Sequence, residues 1–131
     1  MYTMKNVCDR LNIPYETLRY YCNEGLVPNV KRDQNNYRIF DDRDLNWLGS
    51  LQCLRKCGLS IKEIKEYLNL CLEGPSSIEI RKEILSIKKE SLLKEIEKIE
   101  ESIAFINNKQ EFYDGVLAEK IKYTSNLISV E

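Results

Sequence analysis

Thr17, Arg19 and Tyr20 set a hydroxyl, a guanidinium and a phenol close together in the run Ile13-Pro14-Tyr15-Glu16-Thr17-Leu18-Arg19-Tyr20-Tyr21-Cys22-Asn23-Glu24-Gly25-Leu26. All three side chains donate hydrogen bonds, which suits phosphate oxygens and base edges. A second group, Lys31, Arg32, Tyr37 and Arg38, surrounds a phenol with three cations. The remaining chemistry-bearing residues are cysteines. Five occur, with no histidine in the chain. A thiol nucleophile such as Cys53 would lack a histidine base, which argues against an enzyme. Cys53 and Cys57 are four apart, Cys8, Cys22 and Cys71 are isolated, and no CxxC is present. That pattern points away from zinc and from any cofactor, and fits a reducing compartment better than a disulfide framework.

These groups need elements to hold them. Thr3 suits the cap of a first helix through Leu11, with Met4, Val7 and Leu11 on one face. Asn12-Ile13-Pro14 breaks it, and Pro14 suits the start of a second helix. Leu18, Tyr21 and Cys22 then face inward together, which turns Thr17 and Tyr20 elsewhere. Gly25 can close that helix in a left-handed conformation. Two short helices with a tight joint make a helix-turn-helix candidate. Asp33-Gln34-Asn35-Asn36 is turn chemistry between two short β-capable runs, so Val30–Phe40 reads as a small hairpin. Its cations either blunt a solvated strand edge or make the hairpin a wing that grips phosphates; beside a helix-turn-helix the second is favoured.

Asp41-Asp42-Arg43-Asp44 opens a third helix, with acids at the positive end of its dipole. Gly58 ends it, and Ser60 with Glu63 forms the capping box of a fourth. Glu73-Gly74-Pro75-Ser76 is a stop, placing a domain boundary near residue 75. Residues 77 to about 113 contain no glycine or proline. Ile78, Leu85, Leu92, Ile99, Ile106 and Tyr113 recur every seven residues, Ile96 and Ile103 fill alternate seam positions, and Lys82, Lys89 and Gln110 occupy three more. That is a heptad seam. Alone it would expose its apolar stripe, so pairing with a second copy is expected. A second stripe, Ile80, Ile84 and Ile87, suits packing on its own domain. Residues 114–131 form a short tail.

Length and charge bound the function. The 131 residues allow one modest core, or a small domain plus an extended helix. No apolar run is long enough for a bilayer, and the N-terminus lacks a signal pattern, so a cytoplasmic protein without a membrane partner is expected. The net charge of −1 hides an uneven spread: residues 1–40 carry six basic and four acidic groups, the rest a net −3. Local clustering matters more than the total, because screening limits the reach of charge.

Tyr2-Thr3-Met4, Thr17-Leu18-Arg19-Tyr20-Tyr21, Glu24-Gly25-Leu26, Tyr37-Arg38-Ile39-Phe40, Asp44-Leu45 and Gly58-Leu59-Ser60-Ile61-Lys62-Glu63-Ile64 together resemble the MerR family of transcriptional regulators. The match in order and spacing covers roughly the first seventy residues. The resemblance implies a mainly α fold: a winged helix-turn-helix DNA-binding domain over 1–75, a dimerisation helix over 76–113 forming an antiparallel coiled coil, and a C-terminal tail over 114–131. It implies DNA contacts by Tyr15, Thr17, Arg19 and Tyr20 on the recognition helix, and by Lys31, Arg32, Tyr37 and Arg38 on the wing. It implies dimerisation through Leu85, Leu92, Ile96, Ile99, Ile103 and Ile106.

The implied function is that of a homodimer on double-stranded promoter DNA with a pseudo-palindromic operator. It would bend and untwist promoters whose −10 and −35 elements lie too far apart, so that RNA polymerase engages both. Three residues depart from the family pattern. Glu16 stands where a basic residue is frequent, Cys22 where an acidic one is usual, and Asn36 where the wing has glycine. No cysteine follows Cys71, unlike in metal-sensing members. The chain is most similar to the small thiol-responsive branch answering aldehydes or other electrophiles, whose single cysteine corresponds to Cys53. The alternative for Cys53 is a buried core residue. The competing functions are a coiled-coil adaptor, or a repressor of this family without its own effector response.

Overall fold

Three capping boxes, two polar turns and one long uninterrupted helical run divide the chain into its elements. The computed structural model describes residues 1–130. In order they are β1 (Tyr2–Thr3), α1 (Met4–Leu11), α2 (Tyr15–Asn23), β2 (Lys31–Arg32), β3 (Arg38–Phe40), α3 (Asp42–Lys56), α4 (Ile61–Glu73), a 3-10 turn (Pro75–Ser77) and α5 (Ile78–Leu117). Thr3, Asp41 and Ser60 each accept from the backbone N–H three residues on, and Asn6, Asp44 and Glu63 return the bond. Each box satisfies two donors that a helix start would leave unpaired.

The strands form an antiparallel sheet in the order β1-β3-β2. Lys31 faces Ile39 and Arg32 faces Arg38, which is the expected hairpin. The sheet has a third strand that the sequence reading missed: Tyr2 pairs with Phe40 and Thr3 with Ile39. Two residues are too few to show an alternating pattern. Tyr2 also donates its phenol to Asp42 Oδ1 at 2.7 Å, and the Arg10 guanidinium lies 4.7 Å from its ring centroid.

The chain divides into two compact units, one from Met1 to Leu85 and one from Ser86 onward. The first has the core. Val7, Leu18, Leu26, Phe40, Leu48, Leu51 and Ile64 are fully enclosed there. Gln52 Nε2 ties α3 to the carbonyl of Leu11 at 2.9 Å. The joint between α4 and α5 is pinned by Ser77, which is 1% exposed. Its hydroxyl donates to the Leu70 carbonyl and accepts from Arg81 Nε at 3.0 Å, while Arg81 Nη2 donates to the Gly74 carbonyl at 2.8 Å.

No described residue of α5 is buried. The helix runs beyond the expected end near residue 113, through Gly115 to Leu117, and the tail turns back from there. Among the described residues no helix is long and apolar enough to cross a membrane.

Candidate nucleic-acid interface

The recognition helix is held by what it buries. Leu18 is wholly enclosed and Tyr21 nearly so, which turns Tyr15, Glu16, Arg19 and Tyr20 to solvent and leaves Thr17 half-buried. Pro14 caps α2 in extended geometry without a side-chain hydrogen bond. At the other end Gly25 takes a φ of +74°, and the Leu26 N–H reaches back to the Tyr21 carbonyl at 2.9 Å. Two neighbours then clamp that end. Trp47 Nε1 donates to the Leu26 carbonyl at 2.6 Å, and Lys65 Nζ to Glu24 Oε2 at 2.6 Å. Trp47 packs its ring against the core and uses its polar edge as well.

The wing is built around Asp33. Its Oδ1 accepts from the N–H groups of Asn35 at 2.8 Å and Tyr37 at 3.0 Å. Asn36 adopts a φ of +65°, the left-handed geometry that asparagine tolerates. Arg32 Nη1 donates to the Asn36 carbonyl at 2.9 Å, so this cation braces the turn. Arg38 Nη2 donates to Asn23 Oδ1 at 2.6 Å, joining the wing to the last residue of α2. Tyr37 on the wing is 70% exposed.

Between the wing and the start of α2 lies a cleft of about 430 Å³. Tyr15, Arg32, Tyr37 and Arg38 line it, together with Lys5 from α1. Of the expected contact residues, these four converge. Thr17, Arg19, Tyr20 and Lys31 lie outside the cleft. Arg19 Nη1 is 3.8 Å from Glu16 Oε2, an exposed pair that offsets part of its charge. Lys5 is not among the contacts expected from the sequence; its place in the first turn of α1 is the available signal. Asn23, the partner of Arg38, gave none.

The thiols separate by burial. All five cysteines are free. Burial, more than any neighbour, pushes the Cys22 thiol above its ordinary value, against the lowering influence of Arg38 and Arg32. Burial likewise raises Cys8, with Asp9 adding to it. Cys53 lies exposed on α3, so it is not a core residue. Arg55 does not face it, since Nη1 donates to the Leu59 carbonyl at 2.9 Å. Among the described residues no cluster of three or more potential ligands could hold a metal ion.

On α5 the seam residues Leu85, Ile96, Ile99, Ile103 and Ile106 are exposed, and Leu92 is half-buried. Of the second stripe, Ile80 and Ile87 are also exposed and Ile84 is half-buried.

The family model described as MerR HTH family regulatory protein matches residues 2–71. An uncharacterised HTH-type transcriptional regulator of Haemophilus influenzae is 35% identical over 117 residues, covering 89% of this chain and 87% of that protein. The HTH-type transcriptional regulator AdhR of Bacillus subtilis is 38% identical over 87 residues, covering 66% of this chain and 62% of AdhR. Among solved structures, HiNmlR, described as a MerR family regulator lacking the sensor domain and bound to promoter DNA, is 34% identical. It covers 89% of both chains with a TM-score of 0.74. A MerR family regulator from Bacillus thuringiensis is 28% identical, covering 84% of this chain and 96% of its own with a TM-score of 0.70. With the capped helices, the pinned recognition helix and the cationic wing already in place, the chain belongs to the MerR family of helix-turn-helix regulatory proteins.

Proposed function

We propose that this DNA-binding transcriptional regulator works as a homodimer that grips a pseudo-palindromic promoter and deforms it. One observation carries the reading: a heptad seam exposed along α5 in a chain whose head presents the Tyr15, Arg32, Tyr37 and Arg38 cleft. Water contact along such a stripe is unfavourable at roughly 25 cal/mol per Å² of apolar surface. A second copy, paired antiparallel through Leu85, Leu92, Ile96, Ile99, Ile103 and Ile106, removes it from water. Two heads held at a fixed separation match the two halves of one operator. The promoter-bound state of HiNmlR supports duplex DNA as the ligand.

Each head contributes in two ways. Lys31, Arg32, Tyr37 and Arg38 hold the backbone and set register, while Thr17, Arg19 and Tyr20 on α2 meet base edges or the adjoining phosphates. Holding both halves at once bends and untwists the duplex between them, which lets RNA polymerase engage elements separated by an overlong spacer. The deformation costs about 1–6 kcal/mol by smooth elastic estimates, offset by the phosphate contacts it permits.

The switch is a thiol. Cys53 is exposed, as a covalent sensor of aldehydes or other electrophiles must be. Cys22 and Cys8, whose thiols burial holds more fully protonated, are less suited.

The decisive experiment is light scattering of the pure protein together with anisotropy titrations of a promoter fragment at several salt concentrations. A dimeric mass and an affinity that falls steeply with salt support the reading. A monomeric mass with no salt-dependent affinity for any promoter fragment refutes it, and leaves the adaptor.

A further inference from the structure

Phe105, Asn108, Lys109 and Phe112 recur at the three-and-four spacing of one helix face. That face lies beside the seam of Ile99, Ile103 and Ile106, and Tyr113, the last seam residue, borders both. The tail turns back alongside it, leaving Phe112 half-buried and Phe105 exposed. The N–H groups of Lys120 and Ile121 both donate to the Gly115 carbonyl, at 2.9 and 3.1 Å, and Glu119 turns the chain with a φ of +60°. Ile121 fills the space where a Cβ at position 115 would stand, so glycine there permits the fold-back. Beyond it, Ser125 Oγ accepts from the N–H groups of Leu127 and Ile128 at 3.0 and 3.3 Å. The Tyr123 ring is thereby brought 6.5 Å from that of Phe112.

Tail and helix face leave a cleft of about 540 Å³ between them. That volume suits a small-molecule ligand. Phe105, Phe112 and Tyr123 supply aromatic walls, Lys109 a cation, and Asn108 and Asn126 amides. Among the described residues that line it there is no carboxylate, in a chain with 21 acidic residues. We propose that this cleft binds a planar aromatic anion, with its ring against the Phe112 and Tyr123 rings and its negative group on Lys109. Apolar contact and ring-edge geometry favour the flat body, and a charge-assisted hydrogen bond fixes the anionic end. The cleft forms within one chain, so the proposal does not depend on dimerisation.

The test uses the full-length protein and 2-naphthoate as probe in isothermal titration calorimetry. Saturable binding of one naphthoate per chain is expected. Its neutral analogue, 2-naphthylmethanol, should bind about tenfold more weakly, as loss of a charge-assisted hydrogen bond implies. Lys109→Gln should weaken naphthoate to that level and leave the neutral analogue unchanged. Lys98→Gln, elsewhere on α5, should change neither. Phe112→Leu should weaken both; if that variant disturbs the tail, the charge comparison at Lys109 still decides. Absence of saturable binding, or equal naphthoate affinity with and without the Lys109 cation, overturns the proposal. So does binding that emerges only when the oligomer is dissociated, since a second copy is then the occupant.

Discussion

Arg38 Nη2 lies 2.6 Å from Asn23 Oδ1, so the wing is tied to the end of the recognition helix before any DNA arrives. The pair fixes the angle between the two surfaces proposed above to engage one duplex together. Asn23→Ala removes the acceptor and keeps the cation. It should lower operator affinity by about three- to tenfold, the effect of one modest hydrogen bond, and leave the salt slope unchanged. Arg38→Ala removes the cation as well. It should weaken binding to all sequences and reduce the salt slope by about one unit. Anisotropy titrations across salt concentration distinguish the two.

Ile99 occupies the middle of the α5 seam and is 59% exposed in the single chain. Ile99→Lys would place two ammonium groups in the paired seam, where each loses hydration without a partner. Light scattering should show a fall from twice the 15.5 kDa chain mass to the single value. Circular dichroism should retain the helices of the head, because α1 to α4 do not depend on that residue.

Cys53→Ser should bind operator with unchanged affinity and fail to activate transcription under aldehyde challenge. An exposed thiol and a half-buried one should also differ in reactivity. Alkylation followed by mass spectrometry at neutral pH should label Cys53 before Cys22, whose thiol burial raises. Normal induction in the serine variant would remove Cys53 from the switch.

The cap of α3 predicts an acid response with two opposing parts. The N–H of Asp44 holds the Asp41 carboxyl below its ordinary value, so its contribution is present above the unfolded carboxylate range and is lost as pH falls through the folded value. Burial pushes Asp44 the other way. Its charge opposes folding at neutral pH, and that opposition fades as pH falls through its raised value. Asp41→Asn keeps a good capping acceptor and removes the titrating group. Thermal melts from pH 7 to pH 3 should show a shallower acid loss for this variant than for the parent.

Much of this was readable from the residues because the signals were local. Ser60 with Glu63, Asp41 before α3, and Asn36 at the turn each specify geometry within four residues, and each adopts it. The heptad run likewise declares a long helix by its period. Long-range pairings were not readable. Nothing in Asn23 marks it for Arg38, Glu24 for Lys65, or Tyr2 for Asp42, since these partners are separated by 15 to 41 positions. Only folding brings them together. The sequence suits a tail helical through Tyr123, but the helix ends at Leu117 and the chain folds back, because the turn depends on Ile121 filling the gap at Gly115, a contact with no periodic trace.

Trp47 is the chain's single tryptophan, and its indole is anchored on the Leu26 carbonyl where the recognition helix stops. The molecule therefore carries a built-in optical gauge of how that helix is seated. Excitation of the indole reads the event without an attached dye, because no other residue shares its emission band.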